Sequence, residues 1–152
     1  MPNLFNVDFL EFLELLEMHK VNYLLVGGYA VILYGYVRTT GDMDLWVEKT
    51  SENYDKLVKT YADFGTPIFP YEEFLNNKFD VWSIGIEPTK IEILTKVDGL
   101  LFNESKVNCN YLNLEALKIP YIRYEDLLKN KKASGRYKDL ADIEQLEKIK
   151  KK

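Results

Sequence analysis

The sequence predicts an α+β fold, a mixed β-sheet covered by helices in one domain. Three observations carry that expectation. The chain has 152 residues and is 47% hydrophobic, which suits one domain with a proper core. Short apolar strand-like runs interleave with segments of helical period in the order helix, strand, helix, strand, helix, strands, helices. No internal repeat, low-complexity tract or linker divides the chain. Residues 1–149 read as the domain and 150–152 as a frayed basic tail.

Residues 8–19 place apolar side chains at helical spacing, with Asp8 as N-cap. Tyr23-Leu24-Leu25-Val26 is a buried strand. Gly27-Gly28 form a turn, and Tyr29–Tyr34 read as a short apolar helix closed by Gly35. Residues 42–48 are the second strand. Ser51 caps a helix that runs to Phe64 and stops at Gly65. Pro67 and Pro70 frame a loop, and 71–77 form a helical turn. Residues 79–86 and 90–95 are strands joined through Glu87-Pro88-Thr89. Residues 106–122 read as short strands and loops. Tyr124–Ser134 is a helix ended by Gly135. Tyr137–Ile149 is another, with Leu140, Ile143, Leu146 and Ile149 at three-residue steps.

Composition excludes several classes of function. A net charge of -4 disfavours broad, non-specific DNA binding. The single Cys109 rules out an internal disulfide or a cysteine-rich zinc site and reads as a small buried hydrophobe. No apolar run approaches the roughly 20 residues of a membrane span. No basic leader opens the chain, so the expected location is the cytoplasm. The eleven tyrosines suit packing at core edges, or stacking on bases. His19 is the only histidine and falls at a helix end, where a solvated or capping role is expected. Catalysis would therefore rest on carboxylates.

The chemistry concentrates between residues 26 and 44. A strand entering a helix through Gly27-Gly28 frees backbone N–H groups that attract anions, although any strand-to-helix turn can use two glycines. Asp42 and Asp44, two apart in a strand, project to one face. Two like charges there repel, and a divalent cation such as magnesium removes the conflict. On an edge strand, both acids could instead face solvent while Met43, Leu45 and Val47 are buried. A third carboxylate is offered by Glu92, an acid inside the apolar run Lys90-Ile91-Glu92-Ile93-Leu94. It would join the metal site and accept a proton, or stand exposed between inward Ile91 and Ile93. Asp80 is a weaker alternative. Arg38 suits a bidentate phosphate contact or neutralisation of the carboxylates, and Thr39 and Thr40 suit turn hydrogen bonds. Lys131, Arg136 and Lys138 with Asp139 and Asp142 are either helix caps and exposed ion pairs or groups that reach a triphosphate.

Val26-Gly27-Gly28-Tyr29-Ala30, Gly35, Arg38, Thr39 and Asp42-Met43-Asp44-Leu45 together resemble the signature of the DNA polymerase beta-like nucleotidyltransferase superfamily. The finer similarity is to its small members related to toxin–antitoxin and abortive-infection systems. Their later motifs resemble Ile91-Glu92-Ile93-Leu94-Thr95, Asp98-Gly99, and the stretch holding Lys131, Gly135, Arg136, Asp139, Leu140 and Asp142. The resemblance spans residues 20–148. It implies that Gly27 and Gly28 contact a nucleoside triphosphate, that Asp42 and Asp44 hold two magnesium ions (Mg2+), and that Glu92 completes the triad. The third acid in that family is commonly Asp; Glu92 extends it by one methylene, about 1.5 Å.

The function expected is transfer of a nucleoside monophosphate to a hydroxyl by a two-metal mechanism. The acceptor is a protein side chain, an RNA 3′ end or a small molecule. The alternative is a catalytically silent nucleotide- or protein-binding module, one half of a toxin–antitoxin pair with a protein partner. A metal-dependent phosphohydrolase is a third reading.

Overall fold

The structure is a computed structural model that describes residues 5–76 and 79–151. Its elements, in order, are α1 (Val7–Met18), β1 (Tyr23–Val26), α2 (Gly27–Leu33), β2 (Asp42–Val47), α3 (Ser51–Phe64), α4 (Tyr71–Leu75), β3 (Val81–Ile84), β4 (Lys90–Leu94), α5 (Phe102–Val107), β5 (Asn110–Leu114), β6 (Leu117–Tyr121), α6 (Tyr124–Ser134) and α7 (Tyr137–Lys150). The strands form one six-stranded sheet in the order β3-β4-β2-β1-β6-β5. β2 runs antiparallel to β1 and parallel to β4, so the sheet is mixed. No helix among the described residues is long and apolar enough to cross a membrane.

Alternation along β2 and β4 assigns each face its task. Met43, Leu45 and Val47 of β2 and Ile91 and Ile93 of β4 join Phe9, Phe12, Leu13 and Leu16 of α1 and Leu57 of α3 in one core cluster. Stacked and edge-on aromatics extend it, including Phe69 against Trp82 with centroids 4.2 Å apart. The opposite face begins with Asp42 and Asp44 and turns apolar at Trp46, which joins Ala30, Val31, Leu127 and Leu146 in a second cluster. One strand thus carries a core on one face and an acidic pair on the other. Tyr23, Tyr29, Tyr54 and Tyr61 are all buried, so much of the tyrosine content serves packing.

Several local expectations are corrected. Asn6, not Asp8, caps α1: its Oδ1 accepts the Phe9 N–H at 2.9 Å. Thr50, not Ser51, caps α3 and accepts the Asn53 N–H at 3.1 Å. α2 starts at Gly27 itself, so the glycines are its first turn and not a loop before it. Residues 102–107 form a short helix that the lack of periodicity hid. Leu140 is half exposed, whereas Ile143 and Leu146 are buried. α7 continues to Lys150 and so takes in the first residue of the basic tail; Lys152 lies outside the described residues, as does Asn77 of the expected 71–77 turn. His19 ends α1 and its Nε2 meets Asp63 Oδ2 at 2.7 Å, which ties α1 to α3.

Asn53 anchors the frame on which the acidic strand lies. It is buried, its Oδ1 accepts the Asn22 N–H at 2.8 Å, and its Nδ2 donates to Asn22 O at 3.0 Å and Glu48 O at 2.8 Å. These bonds join α3 to the start of β1 and the end of β2. Asn53→Ala removes all three bonds and orphans the Asn22 N–H, while Asn22 O and Glu48 O keep the N–H groups of Glu48 and Thr50; it should lower the unfolding free energy by about 2–4 kcal/mol. Urea unfolding with an unchanged m-value checks this; a loss below about 0.5 kcal/mol would contradict it.

Candidate active site

Register brings the three acids together. Parallel pairing of β2 with β4 sets Asp44 opposite Glu92 and Asp42 opposite Lys90. One carboxylate oxygen from each of Asp42, Asp44 and Glu92 lies within 4.8 Å of the other two. The additional methylene of Glu92 therefore does not keep its carboxylate out of the cluster. β2 is an interior strand, which removes the edge-strand reading of the two aspartates. Glu92 is not fully exposed either: its side chain retains 20% of its accessible surface and its Oε1 meets Lys90 Nζ at 3.0 Å.

The glycines explain how α2 comes so close to the acids. Gly27 has φ +68, and a Cβ there would collide with the Asp44 carboxylate. Only glycine meets both demands. A Cβ on Gly28 would lie 2.7 Å from Thr40 Oγ1, and that hydroxyl donates to Asp42 O at 3.2 Å. Thr40 therefore makes the expected turn hydrogen bond, and the loop ahead of β2 is clasped between α2 and the acidic strand. The first N–H groups of α2 have no partner within the helix.

Asp44 carries the electrostatic tension. Its Oδ1 is buried without a hydrogen-bond partner. Burial pushes its pKa up to about 7, and the charges of Asp42 and Glu92 push the same way, against a weaker pull from Lys138 and Lys131. A buried carboxylate oxygen with no donor, beside two further carboxylates, is a poor arrangement on its own. It fits a hard divalent cation, which takes oxygen ligands and supplies the missing charge. These three side chains are the residues that could hold one.

Cations reach the same place from the helix pair α6–α7. A cavity of about 560 Å³ is lined by Gly27, Gly28, Asp42, Asp44 and Glu92, and also by Arg38, Lys131, Arg136 and Lys138. Lys131, Asp139 and Asp142 are buried, so they are not the exposed ion pairs one reading of the sequence allowed. Lys131 Nζ meets Asp142 Oδ2 at 3.0 Å and Asp139 Oδ1 at 3.3 Å. Arg38 pairs with Asp142 at 3.2 Å, not with Asp42 or Asp44. Arg136 is the N-cap of α7; its Nε donates to Asp139 Oδ2 at 2.8 Å, and its backbone N–H donates to the same oxygen at 3.3 Å. Burial alone would raise the Asp139 pKa, but the Arg136 hydrogen bond and the Lys131 and Arg136 charges hold it below the usual carboxylate range. Arg136 thus both caps a helix and lines the cavity.

Sequence reasoning missed Lys96, which lines the cavity together with Asp80, Val81, Leu94 and Val97. It also missed Lys90, which the i, i+2 spacing in β4 sets on the same face as Glu92. Asp80 lines the cavity but stands outside the three-carboxylate cluster. Asp98-Gly99 serves as a packing turn: Asn130 Nδ2 donates to Asp98 O at 3.0 Å, and a Cβ on Gly99 would press on Ala133.

No family model matches the sequence, and no curated protein matches it. Solved structures do. The chain is similar to the lincosamide antibiotic adenylyltransferase LnuA in its lincomycin-bound form, with 22% identity and a TM-score of 0.62 over 95% of this chain and 98% of that one. It is also similar to a Thermotoga maritima protein assigned as a nucleotidyltransferase, with 15% identity and a TM-score of 0.53 over 94% of this chain and 88% of that one. At these identities the likeness establishes the fold, which is the nucleotidyltransferase fold.

The Asp44 environment predicts a pH signature in the metal-free protein. Its folded pKa lies above its unfolded value, so the folded state binds the proton more tightly and the group costs stability as pH rises through about 7. Asp44→Asn removes that cost. With EDTA present the variant should exceed wild type by on the order of 4 kcal/mol above pH 7, and the gain should vanish towards pH 4. Melting curves across pH test this; a pH-independent difference would contradict it.

Proposed function

We propose that this chain is a divalent-cation-dependent nucleotidyltransferase that moves a nucleoside monophosphate from a nucleoside triphosphate to a hydroxyl of a small molecule. The observation that carries the reading is the Asp42–Asp44–Glu92 cluster beside a glycine-opened helix, in a cavity that also collects Arg38, Lys131, Arg136 and Lys138. Three converging carboxylates, one with a buried oxygen that lacks a donor, suit metal, and a cationic wall next to them suits phosphate.

In this reading Asp42, Asp44 and Glu92 would hold two Mg2+ ions. Bound there, they would lower the pKa of the acceptor hydroxyl and offset charge on the leaving pyrophosphate. Gly27 and Gly28 admit the triphosphate close to the backbone at the start of α2. Arg38, Lys131 and Arg136 bind its outer oxygens. The acceptor oxygen forms a bond to the α-phosphorus, the bond from that phosphorus to the bridging oxygen breaks, and pyrophosphate leaves. The acceptor proton passes to the Glu92 carboxylate.

The acceptor class rests on two supports. LnuA, by its name, adenylylates a lincosamide antibiotic, and the likeness spans 98% of that chain. The cavity, about 560 Å³, lies in the usual size range for small-molecule sites. Protein side chains and RNA 3′ ends are the competing acceptors, and a toxin–antitoxin partnership belongs with the silent module.

The test is incubation with labelled nucleoside triphosphates, Mg2+ and a panel of hydroxyl-bearing small molecules. Wild type should release pyrophosphate, and Asp44→Asn should lose at least about a hundredfold in rate. Equal transfer by both proteins would remove the assigned site. Release of inorganic phosphate would instead indicate a phosphohydrolase, and stabilisation by nucleotide without turnover would indicate the silent module. Apparent metal affinity should also fall below pH 7, by up to about tenfold per unit, because Asp44 must lose its proton to ligate. Isothermal titration with Mn2+ checks this; affinity flat from pH 5 to 8 would contradict it.

A further inference from the structure

Asp142 is a charged residue that the site does not display. It is buried on α7 and does not reach the cavity wall, yet both cations that it binds do. Its Oδ2 meets Arg38 at 3.2 Å and Lys131 at 3.0 Å. These partners come from separate parts of the chain: Arg38 from the loop between α2 and β2, Lys131 from α6. Within the loop the Arg38 guanidinium has one long bond, from Nη1 to Thr39 O at 3.3 Å, and its Nε is buried with no hydrogen-bond partner. Lys131 is almost fully buried, where an ammonium is unfavourable unless paired.

Charge counting gives the arrangement a direction. Arg38, Lys131 and Arg136 carry three positive charges; Asp139 and Asp142 carry two negative ones. The array is held together by ion pairs and still keeps a net positive charge at the cavity. Arg38 also borders the glycine turn, since a Cβ on Gly28 would come within 3.3 Å of its terminal nitrogen. Buried ion pairs are weak evidence for stability, so a role in holding cations in place accounts better for an Asp at this position.

We infer that Asp142 is a positioning residue for nucleotide binding: from behind the cavity wall, one carboxylate oxygen holds Arg38 and Lys131 together at the triphosphate site. The inference rests on the nucleotidyl-transfer reading. It predicts that Asp142 acts on nucleotide affinity through these two cations and leaves the metal-binding carboxylates unaffected.

The experiment measures binding of each of the four Mg2+-nucleoside triphosphates, and of Mn2+ alone, to the full chain and its variants. Asp142→Asn should weaken binding of the preferred triphosphate by tenfold or more while leaving Mn2+ affinity within about twofold of wild type. Leu146→Val, which loosens α7 packing away from the ion pairs, should lower the melting temperature and leave triphosphate affinity unchanged. In an Arg38→Gln background the Asp142→Asn effect should shrink, because the two act as a unit. Should Asp142→Asn fail to fold, Asp142→Glu, which displaces the carboxylate by one methylene, is read against the same thresholds. Wild-type triphosphate affinity in Asp142→Asn, equal loss in Leu146→Val, or full additivity with Arg38→Gln would overturn the inference while the nucleotidyl reading stands. Failure of wild type to bind any of the four triphosphates would overturn both.

Discussion

Like-charge repulsion among Asp42, Asp44 and Glu92 is the constraint around which this protein is arranged. Parallel pairing of two interior strands forces the three carboxylates onto one patch of sheet. Sheet geometry makes that juxtaposition unavoidable once the register is set, because a slip of one residue would send the acids into the apolar core. The register is in turn held by the opposite face, where Met43, Leu45, Ile91 and Ile93 are buried among the side chains of α1 and α3. The apolar face therefore fixes the polar one. Stability accumulates on the first, and the second carries a local cost of the kind that functional sites tolerate.

The surroundings of the acids follow from that cost. Gly27 and Gly28 are glycines because any side chain would occupy the space of the Asp44 carboxylate or the Thr40 hydroxyl. Lys90 neutralises Glu92 from within the same strand. The larger store of positive charge is kept on α6 and α7, where Asp139 and Asp142 hold it in ion pairs instead of letting it collapse onto the acids. The result is a cavity with the three carboxylates on the sheet and most of its cations on the far wall, from α6, α7 and the loop before β2. Such a separation of charge is what a substrate made of metal ions and phosphates requires.

Much of this was legible in the sequence because it depends on local pattern. The apolar runs 23–26 and 90–94 and the alternation in 42–47 identify β1, β4 and β2. Glu92 stands out as an acid where an apolar strand offers no reason for one. Other features depend on contacts that no local pattern records. Asn6 and Asp8 are both good N-caps by type, as are Thr50 and Ser51; only the backbone path decides which side chain reaches the third N–H. Residues 102–107 are too short a helix to show a period. In α7, Asp139 and Asp142 look like a solvated face, and they are buried only because Lys131 and Arg38 arrive from elsewhere in the chain. The interior position of β2, which removes the solvated-edge reading of its two aspartates, is likewise a property of sheet order.

A structure of the chain crystallised with Mg2+ and a non-hydrolysable nucleoside triphosphate tests the central claim most directly. Metal should lie on Asp42, Asp44 and Glu92, and the triphosphate between the start of α2 and the cations Arg38, Lys131 and Arg136. Carboxylates left without metal, with Lys90 still on Glu92 and the nucleotide bound elsewhere or not at all, would contradict it.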